Sequence, residues 1–73
     1  MRLIQVKGIE STLTSDQKQT MIEKLTDALL SVMGEHLRPV VVVVIEEVKS
    51  GDWGIGGKPM TTDDIRALMK GGR

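Results

Sequence analysis

Six consecutive β-branched residues, Val40-Val41-Val42-Val43-Val44-Ile45, place the strongest constraint on how this chain can fold. Branching at Cβ favours extended backbone. Successive side chains of a strand point to opposite faces, so this run is apolar on both. A strand on a protein surface alternates; an unbroken apolar run suits a parallel strand covered on both sides. Arg38-Pro39 opens the element, and proline is tolerated at a strand's first residue. The fold must therefore supply two covers for one short strand.

The residues upstream supply one of them. Leu3-Ile4-Gln5-Val6-Lys7 reads as a strand, with Leu3, Gln5 and Lys7 on one face and Ile4 and Val6 on the other. Gly8 is expected to end it or to introduce a bulge. Thr14-Ser15-Asp16-Gln17 fits a capping box with Thr14 as N-cap. Met21, Ile22, Leu25, Ala28, Leu29, Val32 and Met33 follow at helical spacing, and Gly34 suits the C-terminal stop. The spacing predicts a helix over Ser15–Met33. Strand, helix and strand in this order make a βαβ unit with a right-handed crossover. Thr61-Thr62-Asp63-Asp64 before Ile65, Ala67, Leu68 and Met69 predicts a short capped C-terminal helix, with Lys70 to Arg73 frayed. The fold class is α/β, in a single domain over residues 1–73.

One helix covers one face of a two-stranded sheet. The other face of the valine strand stays open, and a sheet of two strands is too small to stand alone. Chains of 73 residues are marginal, and the usual remedies are disulfides, metal or oligomerisation. There is no Cys and only His36, which excludes a disulfide framework and argues against zinc. No metal and no cofactor are expected. Homo-oligomerisation is the remedy that remains. Absence of Cys fits a reducing cytoplasm. Ten basic residues balance ten acidic ones without a basic block, so no nucleic-acid footprint is expected. No apolar run is long enough to span a membrane, and the N-terminus is unlike a signal peptide.

The functional signal lies past the valine strand. Trp53 is the chain's one aromatic, and it sits in Gly51-Asp52-Trp53-Gly54-Ile55-Gly56-Gly57 rather than in a periodic core segment. Read as a loop, this segment presents an aromatic to a ligand or to a partner subunit. The glycines serve backbone geometry.

A strand at the N-terminus, a long helix, a parallel second strand and a Trp-Gly-Ile-Gly-Gly segment together resemble the 4-oxalocrotonate tautomerase family. The matching pieces are Leu3-Ile4-Gln5-Val6, Ser15-Asp16-Gln17-Lys18, Ile45-Glu46-Glu47 and Trp53-Gly54-Ile55-Gly56-Gly57. The resemblance implies a homohexamer built as a trimer of dimers, with sites near the N-terminal strands shared between subunits. It implies keto–enol proton transfer on a small carboxylate-bearing substrate, with an N-terminal proline as base. Arginines on the helix approach and the second strand would grip the carboxylate, and the loop would provide an apolar wall.

The chain departs from that pattern at the centre. Arg2 stands where the proline is expected, Leu13 where the helix-approach arginine is expected, and Val42 where the strand arginine is expected. Arginine stays protonated and is no base near neutral pH. The candidate catalytic residues are therefore Met1, whose α-amine titrates at about 7.7–8.0 when unperturbed, and Arg2. The candidate substrate-binding residues are Arg38, as a forked carboxylate donor, and Trp53 with Ile55 as the apolar wall. Each has a plainer reading: Arg38 in a surface ion pair, Trp53 in a subunit interface. Glu46 and Glu47 point to opposite faces and cannot act as a pair. Lys7, Lys49 and Lys58 read as solvated, and His36 as a loop residue near the helix end. The leading expectation is a tautomerase of altered or weakened activity on a 2-keto or 2-hydroxydienoate acid. The competing one is a non-catalytic subunit, alone or beside a Pro-bearing homologue.

Overall fold

The computed structural model describes residues 2–71. Two parallel strands, β1 (Arg2–Ile9) and β2 (Val41–Val48), are joined by helix α1 (Ser15–Met33) and a 3₁₀ turn over Glu35–Val40. A hairpin of β3 (Trp53–Ile55) and β4 (Lys58–Met60) follows, then helix α2 (Thr62–Gly71). The expected βαβ unit is present. Gly8 neither ends nor bulges β1 but pairs with Glu47 inside it. Arg38 and Pro39 belong to the 3₁₀ turn instead of opening the strand, so β2 starts at Val41 and runs on through both glutamates.

The limits of α1 follow from local chemistry. Thr14 Oγ1 accepts from the Gln17 N–H at 3.1 Å, and Gln17 Oε1 accepts from the Thr14 N–H at 2.9 Å. This reciprocal box satisfies two N–H groups that a helix start would leave bare. At the other end Gly34 turns the chain at φ +112°, and its N–H closes on the Leu30 carbonyl at 2.8 Å. α2 repeats the opening device: Thr61 N–H donates to Asp64 Oδ2 and Asp64 N–H donates to Thr61 Oγ1. Hydrogen bonding from Thr61, its backbone N–H first, holds the Asp64 carboxyl below the ordinary carboxylate range. The helix continues through Lys70 and Gly71, while Gly72 and Arg73 lie outside the described residues.

Register pairs Leu3 with Val42, Ile4 with Val43 and Val6 with Ile45. Ile4, Val6, Val41, Val43 and Ile45 form the face turned to α1, and all are half-buried. On that side Lys18 of α1 reaches Glu47 of β2 at 3.2 Å. The opposite face carries Leu3, Gln5, Lys7, Val42, Val44 and Glu46, with Leu3 59% and Val42 36% exposed. The expected burial of β2 on both sides is therefore met on one side only within the protomer. The helix stripe is also rotated from the expected one. Leu30 is the one buried apolar residue among those described, whereas Val32 is 83% exposed.

A protomer so thinly covered has too much surface. It exposes 5455 Å², where a compact folded chain of this size exposes about 4,400 Å². Its Cα radius of gyration is 15.2 Å, against about 11 Å for a compact domain of equal length. Apolar burial within one chain is accordingly slight, and local devices carry a large share of what orders α1. Replacing Thr14 by Ala should cost about 1 kcal/mol, read as a lower denaturation midpoint with unchanged transition steepness. No change would mean that the capping box contributes nothing beyond solvent.

Candidate active site

β2 ends at Val48, and the chain then builds a platform on the sheet's C-terminal end. Glu10 N–H donates to the Val48 carbonyl at 2.8 Å, and Glu10 Oε2 accepts from the Ser50 N–H at 3.0 Å. Ser50 Oγ in turn accepts from the Thr62 N–H at 3.0 Å. Gly51 N–H donates to the Met60 carbonyl at 3.1 Å, which closes the base of the hairpin. The segment expected as a loop is thus an antiparallel ribbon pairing Trp53 with Met60 and Ile55 with Lys58. Gly56 and Gly57 are its two-residue turn, with φ of +61° and +84°. That is the type I′ geometry, which needs positive φ at both positions. Gly54 serves a different need: a Cβ there would stand 2.8 Å from the Lys58 carbonyl oxygen.

Trp53 lies half-buried beside an open hollow of about 440 Å³, lined with Gly51, Asp52, Gly54, Lys58 and Pro59. Its indole Nε1 is buried and meets no acceptor among the described residues. Ile55 is 57% exposed on the same ribbon. The two residues of the expected apolar wall therefore share one hairpin.

The other candidates lie elsewhere. Arg2 is exposed at the head of β1, opposite Val41. Met1 lies outside the described residues. Arg38, in the 3₁₀ turn just before β2, is at the same end of the sheet. Its guanidinium is already engaged. Nε and Nη2 donate to the Glu35 carboxylate in a fork, and Nη2 donates to Asp27 Oδ1 at 2.8 Å. The bond to Arg38 holds the Glu35 carboxyl below its ordinary range, and the two carboxylates push the guanidinium pKa up. The cluster ties α1 to the turn across Gly34. Within the protomer Arg38 thus has the plainer of its two readings, an ion pair.

β2 spans eight residues, and at about 3.3 Å per residue its ends are roughly 23 Å apart. Arg2 and Arg38 stand at one end and Trp53 with Ile55 at the other, so one chain does not bring them together. A second hollow, about 340 Å³, opens beside the start of α1 and is lined by Leu13, Asp16, Gln17, Thr20 and Met21. Leu13 was singled out in the sequence only for the arginine it replaces. Its neighbour Met21, two turns along, was the available sign of an apolar recess.

Among the described residues no helix is long and apolar enough to cross a membrane, and no group of three or more acidic or imidazole side chains is placed to hold a metal ion.

Comparison with known proteins agrees with the architecture. The family model described as tautomerase enzyme matches residues 3–63. Probable tautomerase K2 of Dickeya dadantii is 31% identical over 61 residues, which cover 84% of this chain and 90% of that protein. The probable tautomerase RSp0893 of Ralstonia nicotianae is 41% identical over 59 residues, 81% of each chain. Among solved structures, YwhB, a homologue of 4-oxalocrotonate tautomerase, superposes with a TM-score of 0.70 at 32% identity over 78% of this chain and 90% of its own. DmpI from Helicobacter pylori does so with a TM-score of 0.66 at 32% identity, covering 78% and 92%. With the βαβ unit, the glycine hairpin and the match over most of its length in agreement, the chain belongs to the tautomerase family.

Proposed function

We propose that this chain is the protomer of a homo-oligomer, a hexamer in the arrangement the resemblance implies, and that its sites form where chains meet. The observation that carries the reading is the separation of Arg2 from Trp53 along one sheet. A pocket using both needs a second protomer to bring its hairpin to the first one's N-terminal end. The bare sheet face and the excess surface support the same assembly.

In such a site the reaction is keto–enol proton transfer on a small 2-keto or 2-hydroxydienoate acid. An amine at the head of β1 takes the enol proton, and a proton is returned to the conjugated carbon. Arg2 holds the substrate carboxylate. Arg38 can join only by exchanging its fork on Glu35 for the substrate. Trp53 and Ile55 form the dry wall. Leu13 and Val42 bring no cation to the developing enolate, so the rate is below that of a site with arginines there. The same three positions, Arg2, Leu13 and Val42, favour the second reading, a non-catalytic subunit of a tautomerase-like assembly with or without a Pro-bearing homologue.

Three measurements decide among these readings. Val42→Asp puts an unpaired carboxylate on the uncovered sheet face, at a cost of several kcal/mol once that face is enclosed. It should shift sedimentation to a largely unfolded monomer. A native protein that sediments as a stable folded monomer would defeat the assembly reading.

Arg2→Pro should permit removal of Met1 and expose a secondary amine. A positioned base is worth about a hundredfold or more, and an incomplete cation set should leave a gain of about tenfold on 2-hydroxydienoate or phenylenolpyruvate. Unchanged turnover, with mass spectrometry confirming an N-terminal proline, would mean that the pocket is lost.

A primary α-amine at Met1 can also form an imine with a carbonyl substrate. Borohydride trapping with a 2-keto acid should then leave a reduced adduct on Met1. Adducts confined to exposed lysines would favour the silent subunit.

A further inference from the structure

α2 is the part of this fold that the tautomerase match leaves out: the match stops at residue 63, and the helix runs Thr62–Gly71. It is tethered at its first turns only. Thr62 N–H donates to Ser50 Oγ, and Arg66 Nη2 donates to the Ser11 carbonyl at 3.1 Å. Beyond these bonds it packs on no other element to any extent. Ile65, Leu68 and Met69 nevertheless form an apolar stripe at i, i+3 and i+4, with Leu68 57% and Met69 60% exposed. An isolated helix of this length is not stable in water, so tertiary cover must come from somewhere.

The same chain offers a complementary surface that its own α2 does not fill. The hollow of Leu13 and Met21 is lined mostly by apolar surface, with the Asp16 carboxylate on its rim. Lys70 stands in the last turn of α2, opposite in sign to Asp16. We propose that α2 is an assembly arm, with the Ile65, Leu68 and Met69 stripe of one copy seated in the Leu13 and Met21 hollow of a second copy. This rests on the assembly reading above and adds to it an element that lies beyond the residues the family model matches. Two copies related by a two-fold axis would exchange arms, each hollow filled once.

One consequence touches the site. Leu13 occupies the position at which the resemblance expects a substrate-gripping arginine. Under an exchanged arm, that position is given over to a protein contact.

The chain contains no cysteine, so single cysteines report cleanly. A chain carrying Leu13→Cys is mixed with a differently tagged chain carrying Leu68→Cys, and the mixture is oxidised mildly. The expected product is a disulfide between the two kinds of chain, in at least tenfold excess over either like-with-like product. Bridging needs Cα atoms within about 7 Å, so absence of the mixed product overturns the proposal. In parallel, Leu68→Glu with Met69→Glu, which keeps good helix formers, should raise the dissociation constant of assembly at least tenfold by sedimentation. Adding Leu13→Glu should cost little more, because both changes break one contact. Independent, additive losses would overturn the seating. A wild-type chain that is monomeric refutes the assembly reading itself. A wild-type oligomer indifferent to the α2 substitutions refutes the arm alone.

Discussion

The parallel pairing of β1 with β2 is the constraint from which the remaining structure follows. Parallel neighbours cannot be joined by a tight turn, so the chain must leave the sheet, cross over and return. α1 is that crossover, and its 19 residues lie over one face of the pair. Because the crossover covers one side, the second face is left to other surfaces. The half-buried condition of β1 and β2, the single buried leucine among the described residues and the large exposed area are all results of that one choice. The polar residues accommodate it. Lys18 and Glu47 bridge the covered side, while Lys7 and Glu46 stand opposite each other on the bare one.

The same pairing sets the layout of the chemistry. Parallel strands put both N-termini at one end, so Arg2 and the Arg38 corner share that end. They put both C-termini at the other, where Glu10, Ser50 and Thr62 support the hairpin with Trp53. A chain built this way carries its candidate groups at opposite ends of the sheet. The separation of the candidate groups is a property of strand direction, and the proposal that sites form between chains follows from it.

Much of this was legible in the residues, and the failures have causes. α1 could be delimited to the residue because its ends are written in side-chain and glycine chemistry at Thr14, Gln17 and Gly34. The face it buries was harder. Val32 and Leu30 are equally apolar, and hydropathy does not say which surface of a helix meets its own sheet when both surfaces are greasy. The hairpin resembles a loop in sequence because its strands have three residues each and one holds Pro59. Yet Gly56-Gly57 between Ile55 and Lys58 was the two-residue turn signal. Pro39 misled in the opposite sense, since it fits a strand's first position and a tight helical turn equally well. For the candidate site, Trp53 and Ile55 were found by composition and segment context. The capture of Arg38 by Asp27 and Glu35 was out of reach, because Asp27 is eleven residues away and meets it only after Gly34 turns the chain.

The sequence of β2 has a further implication. Slipped by one residue toward its C-terminal end, β2 would put Val40, Val42, Val44 and Glu46 in the places of Val41, Val43, Ile45 and Glu47 on the face under α1. Such a shift turns every side chain to the other face, yet it would still place branched carbons under α1 and a carboxylate near Lys18. Against a slip in that direction β2 encodes almost no alignment of its own, whereas the opposite slip would bring Glu46 into the place of Ile45. Alignment has to be imposed from its ends, by the charged corner at Arg38 upstream and by the Glu10, Ser50 and Gly51 bonds downstream. The strand is a uniform track, and the two clamps decide where along it the chain stops.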